Sequence, residues 1–250
     1  MPGPERKPET RERTAVVIGA SGGIGSALVA ALSRDPAVDR IIAAARRPVE
    51  PTAAKVEPML VDLLDEDSIA TLADALSPAM SLETVIVATG LLHDGAALQP
   101  EKRLADIDPE QLARMFAVNA TGPALVAKHF LPLLARSRRS RFAAISARVG
   151  SISDNRLGGW YAYRASKAAL NMLIRTAAIE LKRTNPDAVC LALHPGTVAT
   201  GLSGPFRSRV APDSLFTPER AAGHLLSVIR DADPSQSGRC LAWDGTEIEP

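Results

Sequence analysis

Apolar and polar residues follow two patterns that alternate along the chain: short continuous apolar runs, and longer segments with an apolar residue every three or four positions. Short apolar runs such as residues 15–18 and 84–88 are typical of strands that are buried on both faces. Between these runs lie longer segments with apolar residues every three or four positions, as with Ile69, Leu72 and Leu76, and this spacing predicts amphipathic helices. The alternation of strands and helices therefore predicts βαβ units.

The predicted elements extend over almost the whole chain. Predicted strands cover residues 15–18, 40–44, 57–61, 84–88, 142–145, 188–193 and 239–243. Predicted helices cover residues 25–34, 65–76, 109–134, 162–182 and 218–230. Right-handed crossovers between such strands give a parallel sheet with helices on both faces. We therefore predict an α/β fold, a doubly wound Rossmann-like sheet.

The same pattern indicates how the chain is organised. A single domain is expected over residues 14–250, and residues at about 201–216, which have no clear period, are expected to cover the substrate. Residues 1–13 are charged and contain proline, so they cannot bury enough surface to offset ordering. We expect them to form a flexible N-terminal tail.

Composition narrows the functional classes. Of 250 residues, 46% are hydrophobic and 23% charged, which excludes wholesale disorder. Lys+Arg 29 against Asp+Glu 28 gives a net charge of +1, which argues against nucleic-acid binding through a bulk positive field. No run approaches the roughly 20 apolar residues of a membrane span. Cys190 and Cys240 are too few for a disulfide framework and lack metal-ligand spacing, so a cytoplasmic protein without a metal is expected.

A glycine-rich turn, GASGGIG at residues 19–25, joins the first predicted strand to the first helix. Glycine tolerates positive φ and lets a pyrophosphate approach the backbone, while the following helix presents free N–H groups to an anion. The turn lacks the Lys-Ser/Thr ending of a loop that binds nucleoside triphosphates, which argues against an ATPase or a kinase. The alternative to dinucleotide binding is a glycine-rich turn that binds no ligand. We predict dinucleotide binding, with these candidate contacts: Gly19, Ser21, Gly22, Gly23, Ile24 and Gly25.

The end of the second strand bears on the choice of dinucleotide. An acidic residue there would bind the ribose 2′-hydroxyl of NAD, but the strand ends in Ala45, Arg46 and Arg47. An arginine can pair with the 2′-phosphate of NADP through two parallel hydrogen bonds. NADP(H) is therefore favoured over NAD(H), and Arg46 is the candidate to bind the 2′-phosphate. Alternatively, the two arginines belong to a basic loop that only contacts solvent, an interpretation that applies more to Arg47 than to Arg46.

Tyr163 and Lys167 are four residues apart in a predicted helix, so both project from one face. A phenol with a pKa near about 10 exchanges protons poorly at neutral pH unless a cation stabilises the phenolate. An ammonium group one helical turn away supplies that cation. The pair by itself is a weak signal, and its weight comes from occurring together with the glycine turn.

With these motifs in order, the chain resembles the short-chain dehydrogenase/reductase family, in its short single-domain branch. Residues 146–152 and 161–164 are similar to the Sniffer/C-factor subgroup of carbonyl reductases. The matching pieces are residues 19–25, Asp62-Leu63, Ala88-Thr89-Gly90, Asn119, Tyr163 with Lys167, and residues 195–200.

The resemblance implies a role for each matching residue. Tyr163 would be the general acid–base, Lys167 would lower its pKa and hold the nicotinamide ribose, and Asn119 would bend its helix and hold a relay water. Asp62 and Leu63 would contact the adenine. The remaining cofactor contacts would be Ala88, Thr89, Gly90, Pro195, Gly196, Val198 and Thr200.

The sequence departs from the family pattern at the catalytic serine. Where the family has the serine that orients the substrate carbonyl, this chain has Ala147. The neighbouring Ser146 is the candidate by motif, although it would point to the other side of an extended strand. Ser151 could supply the hydroxyl instead, or no serine serves.

The predicted function is NADP(H)-dependent hydride transfer between the nicotinamide and a carbonyl or alcohol substrate, with reduction of the carbonyl favoured over oxidation of the alcohol. The apolar content of residues 201–216 favours a hydrophobic carbonyl compound. The alternative is a cofactor-binding regulatory or signalling protein with little turnover. A purely structural role through exposed helices is a third hypothesis. The resemblance also implies a homodimer or homotetramer.

Overall fold

The computed structural model describes residues 12–76, 81–95, 97–205, 211 and 214–250. Within these residues, seven strands form one parallel sheet. The seven strands are β1 (Arg13–Ile18), β2 (Arg40–Ala45), β3 (Val56–Leu60), β4 (Ser81–Val87), β5 (Arg141–Ile145), β6 (Val189–His194) and β9 (Cys240–Ala242). Two further short strands, β7 (Thr197–Val198) and β8 (Leu215–Phe216), lie between β6 and β9 in the chain and pair with each other.

Helices cover both faces of the sheet. They are α1 (Gly23–Ser33), α2 (Glu66–Ala75), α3 (Pro109–Phe116), α4 (Gly122–Phe130), α5 (Tyr161–Thr184) and α6 (Pro218–Asp231). Alternate strand residues enter two separate cores, so that Val16 and Ile18 pack towards α2, α4 and α5, whereas Ala15 and Val17 pack towards α1 and α6. This burial on both sides explains the uninterrupted apolar runs. The predicted doubly wound α/β fold is confirmed.

The strand order is β3-β2-β1-β4-β5-β6-β9, so the chain moves outwards from β1 in one direction and then returns to continue from β4 in the other. At such a reversal the loops that follow the two central strands separate and leave a crevice at the carboxyl edge of the sheet. The glycine turn follows β1, and Ala88-Thr89-Gly90 follows β4. The topology therefore brings two of the predicted motifs to one crevice.

The predicted long helix over residues 109–134 is present, because the chain is helical from Pro109 to Leu133, but it is not one regular α-helix. The segment is divided into α3, a π-helical turn at Ala117–Thr121, α4, and a 3₁₀ turn at Leu131–Leu133. Pro123 and Pro132 have no backbone N–H, so each removes one hydrogen bond of a continuous α-helix. The π turn contains Asn119, which agrees with the bend that the family resemblance implied there.

Two smaller expectations also change. Arg13, assigned to the tail, belongs to β1, where its N–H donates to Asp39 Oδ2 at 2.8 Å; residues 1–11 lie outside the described residues. The expected substrate segment ends in a strand, because Leu215–Phe216 pairs with Thr197–Val198; its residues 206–210 and 212–213 are outside the described part. Over the described residues, no helix has the length and apolar character needed to cross a membrane.

Candidate active site

Two adjoining cavities occupy the crevice at the carboxyl edge of the sheet. One, of about 250 Å³, lies beside Gly19 and Gly22 and is called here the glycine-loop cavity. The other, of about 260 Å³, lies beside Tyr163 and Lys167 and is called the tyrosine cavity. Ala88, Thr89 and Gly90 line both, so the two cavities meet at the end of β4.

The glycine turn has no room for side chains at its critical positions. Gly19 has φ +89°, and a Cβ there would lie 2.9 Å from Thr89 Cγ2. A Cβ on Gly25 would lie 2.1 Å from the Gly19 carbonyl oxygen, and one on Gly23 would lie 2.6 Å from Thr200 Cγ2. The N–H groups of Gly19 and Ala20 donate to the Ala44 carbonyl at 2.8 and 3.0 Å, which fixes the turn over the end of β2.

This arrangement fits a dinucleotide. Gly22 caps α1 without a side-chain hydrogen bond, so the first N–H groups of the helix are not capped by that residue. Thr89 Oγ1 is buried at the junction of the cavities and has no hydrogen-bond partner among the described residues. Free N–H groups at a helix start attract phosphate, and an unpaired buried hydroxyl can hydrogen-bond to a ligand that enters the crevice.

The glycine-loop cavity contains most of the residues predicted for the adenosine half of a cofactor. Arg46, Asp62 and Leu63 line it, while Arg47 does not. Arg114, which sequence reasoning missed, adds a second guanidinium and pairs with Asp94 at 2.5 Å. The sequence carries no pattern that would connect Arg114 with Arg46, because they come from separate elements that meet only at the lining of this cavity.

Tyr163 and Lys167 project from the first turns of α5 and are 7% and 2% exposed. The Lys167 Nζ lies 5.9 Å from the centroid of the Tyr163 ring and donates to the Ile145 carbonyl at 2.8 Å. Burial raises the pKa of the Tyr163 phenol above its usual value and lowers the pKa of Lys167 to about 7. Both shifts have the same cause, since removal of water disfavours the charged form of each group.

Asn119 connects the π turn to the end of β4 and to α5. Its side chain exchanges two hydrogen bonds with the Leu91 backbone, Leu91 N to Oδ1 at 2.8 Å and Nδ2 to Leu91 O at 2.7 Å. Nδ2 also donates to Ser166 Oγ at 3.1 Å. A Cβ added to Gly90 would lie 3.9 Å from Asn119 Oδ1 and 4.0 Å from Lys167 Nζ. Asn119 and Lys167 therefore lie close to the same point below the tyrosine cavity.

The candidate serines are placed differently from one another. Ser146 lines the tyrosine cavity, but its hydroxyl donates to Asn171 Oδ1 at 2.6 Å. Ser151 does not line the cavity; its hydroxyl accepts from Asp154 N at 3.1 Å. Ala147 lines the cavity on the side where Tyr163 packs. The position where the family resemblance leads us to expect a serine thus presents a methyl group.

The segment after β6 closes the far side of the tyrosine cavity, with Pro195, Gly196, Val198 and Thr200 in its lining. His194 precedes it and also lines the cavity. Its Nδ1 is buried with no hydrogen-bond partner among the described residues, and burial lowers the pKa of its imidazole to about 4. His194 is therefore neutral near pH 7.

The structure brings most of the predicted site residues to these two cavities. Gly23 and Gly25 lie in the turn behind the lining, and Asn119 lies below it. Sequence reasoning missed several lining side chains. They include Arg114 in the glycine-loop cavity, and Leu92, Arg148, Val149, Trp160, Leu202 and Ser203 in the tyrosine cavity. No local pattern identifies them, because they come from separate segments.

Comparison with known proteins agrees with this geometry. A family model described as short chain dehydrogenase matches residues 13–211. The chain is 40% identical over 146 residues to C-signal of Myxococcus xanthus, covering 58% of this chain and 82% of that protein. It is 32% identical to 1-hydroxy-2-glutathionyl-2-methyl-3-butene dehydrogenase of Rhodococcus sp. (strain AD45), covering 94% of this chain and 99% of the relative.

Solved structures show the same fold. NADPH-bound carbonyl reductase from chicken fatty liver has a TM-score of 0.83 at 24% identity, covering 97% of this chain and 96% of that chain. Carbonyl reductase Sniffer of D. melanogaster has a TM-score of 0.81 at 22% identity, covering 96% and 100%. At sequence identities of 24% and 22%, these similarities show only that the fold is shared. The family match, the full-length relative and the crevice geometry together show that the chain is an oxidoreductase of the short-chain dehydrogenase/reductase family.

Proposed function

We propose that this chain reduces the carbonyl group of an apolar ketone or aldehyde with NADPH, using Tyr163 as the general acid. The observation that carries the proposal is the tyrosine cavity, which Tyr163 and Lys167 line and which adjoins the cavity under the glycine turn. A cofactor extended along the crevice would place its nicotinamide beside the phenol and its adenosine beside Arg46.

The residues that line the two cavities, Lys167 and Ala88-Thr89-Gly90 among them, would hold NADPH, which when bound would supply the hydride that reduces the carbonyl group to an alcohol. Tyr163 donates its proton to the carbonyl oxygen as the C–O π bond breaks, and a proton from solvent replaces it. In its ammonium form, Lys167 stabilises the phenolate left behind. Asn119 joins the segment after β4 to α5 through its hydrogen bonds to Leu91 and Ser166, and its role in holding a relay water near Lys167 is part of the proposal.

Ser146 remains the candidate by motif for orienting the carbonyl. Its hydroxyl proton is directed to Asn171, so Ser146 could donate to a substrate only by giving up that hydrogen bond. A substrate held without a serine donor would depend more on the shape of the cavity. This dependence favours a carbonyl compound with apolar substituents.

A single substitution tests the chemical step. Tyr163→Phe removes the proton donor and keeps the ring, and we expect NADPH consumption to fall by about 10²–10⁴-fold. The assay uses ketones, aldehydes, quinones and dicarbonyls, with NADPH binding measured in parallel. Tyr161→Phe, two residues earlier and outside both cavity linings, is the control that should keep its rate. Equal rates in Tyr163→Phe and the parent chain would contradict the proposed acid.

The regulatory alternative has its own expected outcome in the same assay. Ala147 is the observation that favours it, because a serine donor is missing from the position where the family has one. Tight NADPH binding by the unmodified chain, without turnover of any carbonyl compound, would support a sensor and contradict the reductase.

The preference for NADP rests on Arg46, on the absence of a carboxylate at the tip of β2, and on the NADPH reported for the chicken carbonyl reductase. A charge-assisted pair contributes about 1.5–3 kcal/mol, so Arg46→Ala should weaken NADPH binding by roughly ten- to a hundredfold and leave NADH binding unchanged. Arg47→Ala is the matched control, since Arg47 is exposed and outside the lining. Equal or tighter binding of NADH to the unmodified chain would exclude the preference.

We also propose that two copies of the chain pair through α4 and α5. A groove between these helices, with a volume of about 520 Å³, is lined by Leu131, Leu173, Ala177 and other apolar residues. Leu173 is 40% exposed, so pairing would bury apolar surface that water now contacts.

Both described cysteines are free, which agrees with a reducing compartment such as the cytoplasm.

A further inference from the structure

The segment that leads into α5 has an unusual backbone. Gly158, Gly159 and Trp160 are three consecutive residues with positive φ, at +63°, +65° and +53°. Glycine adopts such angles freely, but a bulky side chain does not. Trp160 is the one non-glycine residue with positive φ in the described part of the chain. A strained residue of this kind persists only where its surroundings hold it.

Hydrogen bonds from two directions hold Trp160 in this conformation. Its N–H donates to the Glu101 carbonyl, and the Glu101 carboxylate accepts from Ala162 N at 3.2 and 3.3 Å, although Glu101 is only 5% exposed. From the other side, Arg164 donates to the Gly159, Gly158 and Val149 carbonyls at 3.0, 3.2 and 3.3 Å. The turn is therefore fixed before any ligand enters.

This clamp directs the indole of Trp160 into the tyrosine cavity. The indole meets the Tyr163 ring edge to face, with centroids 6.2 Å apart and planes at 75°. Ala147, Val149 and Leu202 pack into the same apolar cluster. Beside the proposed proton donor, the cavity thus has a wall of rings and methyl groups where a serine hydroxyl would otherwise stand.

We propose that Trp160 determines substrate specificity and selects carbonyl compounds that carry a flat aromatic ring next to the carbonyl carbon. The inference rests on the proposed carbonyl reduction and names its substrate class. A rigid indole offers a planar apolar surface at low entropic cost, and a second aromatic ring that packs against it is stabilised beyond the area it buries. Packing against Trp160 then sets the orientation of the carbonyl without a donor at position 147.

The test compares two methyl ketones with the same number of carbon atoms, acetophenone and cyclohexyl methyl ketone. We expect the ratio of their kcat/KM values, aryl over alkyl, to fall by about tenfold in Trp160→Leu. Trp160→Phe keeps a ring and should keep most of the ratio. Leu157→Ala, on the same segment but 92% exposed, is the control and should leave the ratio unchanged.

A second measurement separates specificity from folding. Glycine adopts the positive φ at position 160 without strain, so the melting temperature of Trp160→Gly should fall less than that of a variant with a truncated core side chain. The preference for the aryl ketone should nevertheless be lost in this variant. A ratio of kcat/KM in Trp160→Leu equal to that of the unmodified chain would overturn the inference and leave carbonyl reduction intact.

Binding decides the inference even where turnover is absent. Calorimetry of the same two ketones with the NADP⁺-saturated protein should show tighter binding of acetophenone, and Trp160→Leu should remove the difference. Equal affinities in the unmodified chain would overturn the role of Trp160. Absence of turnover for every carbonyl compound, with the aryl preference still present in binding, would contradict the proposed reaction alone.

Discussion

At the scale of single residues, burial controls the chemistry of the site. Tyr163 and Lys167 are both shifted towards their neutral forms, and with a pKa of about 7 only about half of Lys167 is protonated at neutral pH. A negative charge nearby would favour the ammonium form and so restore the cation that the phenolate needs. Binding of an anionic cofactor in the crevice would therefore also prepare the proton donor.

His194 gives a prediction for stability against pH. Its pKa is about 4 in the folded chain and about 6.5 when unfolded, so between these values the unfolded chain binds the extra proton. The free energy of unfolding should therefore decrease as the pH falls from 6.5 towards 4, with the whole contribution lost below 4.

The measurement is denaturant unfolding at pH 7.5 and pH 5. His194→Asn should lose less stability than the parent chain over this interval, by about 2 kcal/mol. Equal losses in the two proteins would show that His194 does not carry the pH dependence.

At the scale of elements, the interrupted helix shows how a side chain can decide backbone geometry. Asn119 satisfies the Leu91 N–H and C=O with its amide, and this pairing anchors the π turn between α3 and α4. A π turn has one more residue than the corresponding α-helical turn and so interrupts the regular hydrogen bonds of the helix. Such turns are frequent at functional sites. Hydrophobic periodicity over residues 109–134 predicts a helix but contains no information on this pairing.

The junction of β1 and α1 gives a prediction that compares two glycines. Gly25→Ala would place a methyl group 2.1 Å from the Gly19 carbonyl, so we expect a loss of about 1–3 kcal/mol in unfolding free energy and loss of NADPH binding. Gly223→Ala on α6 is the matched control, because no described atom beyond its chain neighbours and the nearby backbone of its own helix lies within 4 Å of the added Cβ.

In an open helical position, alanine instead stabilises by about 0.5–1 kcal/mol. Chemical denaturation and NADPH titration of both variants check the comparison. Unimpaired cofactor binding by Gly25→Ala would contradict the role of the turn.

At the scale of the whole molecule, the prediction concerns assembly. Leu173→Arg introduces a charge into the groove between α4 and α5, and we expect it to convert a homodimer or homotetramer into smaller species, because an unpaired charge is costly in an apolar interface. Sedimentation against the 26.4 kDa mass of one chain measures the change. Leu157→Arg, at a residue that is 92% exposed, should not alter the assembly. A monomeric parent chain would exclude the proposal.

The whole molecule also explains why the site is where it is. Strand order reverses at β1 and β4, so the glycine turn and Ala88-Thr89-Gly90 face one crevice. Helix α5 brings Tyr163 and Lys167 to its floor, and the segment after β6 closes it. These four separate stretches of chain thus form one continuous surface.

The fold class, the glycine turn and the placement of Tyr163 and Lys167 on one helix face could all be predicted from the amino-acid sequence. These features are local: a period of apolar residues, a run of glycines, and a four-residue spacing within one helix. Each depends on residues close together in the chain, so it can be predicted without knowledge of distant contacts.

Three features of the site could not be predicted without the folded structure: the π turn at Asn119, the hydrogen bond from Ser146 to Asn171, and the positive φ of Trp160. Each depends on a partner far along the chain: Leu91 for Asn119, Asn171 for Ser146, Glu101 for Trp160. Such contacts form only after the strands order and the helices pack, because strand order sets which loops share an edge. The specificity of the cavity is therefore a property of the fold, and its reaction class is a property of motifs in the sequence.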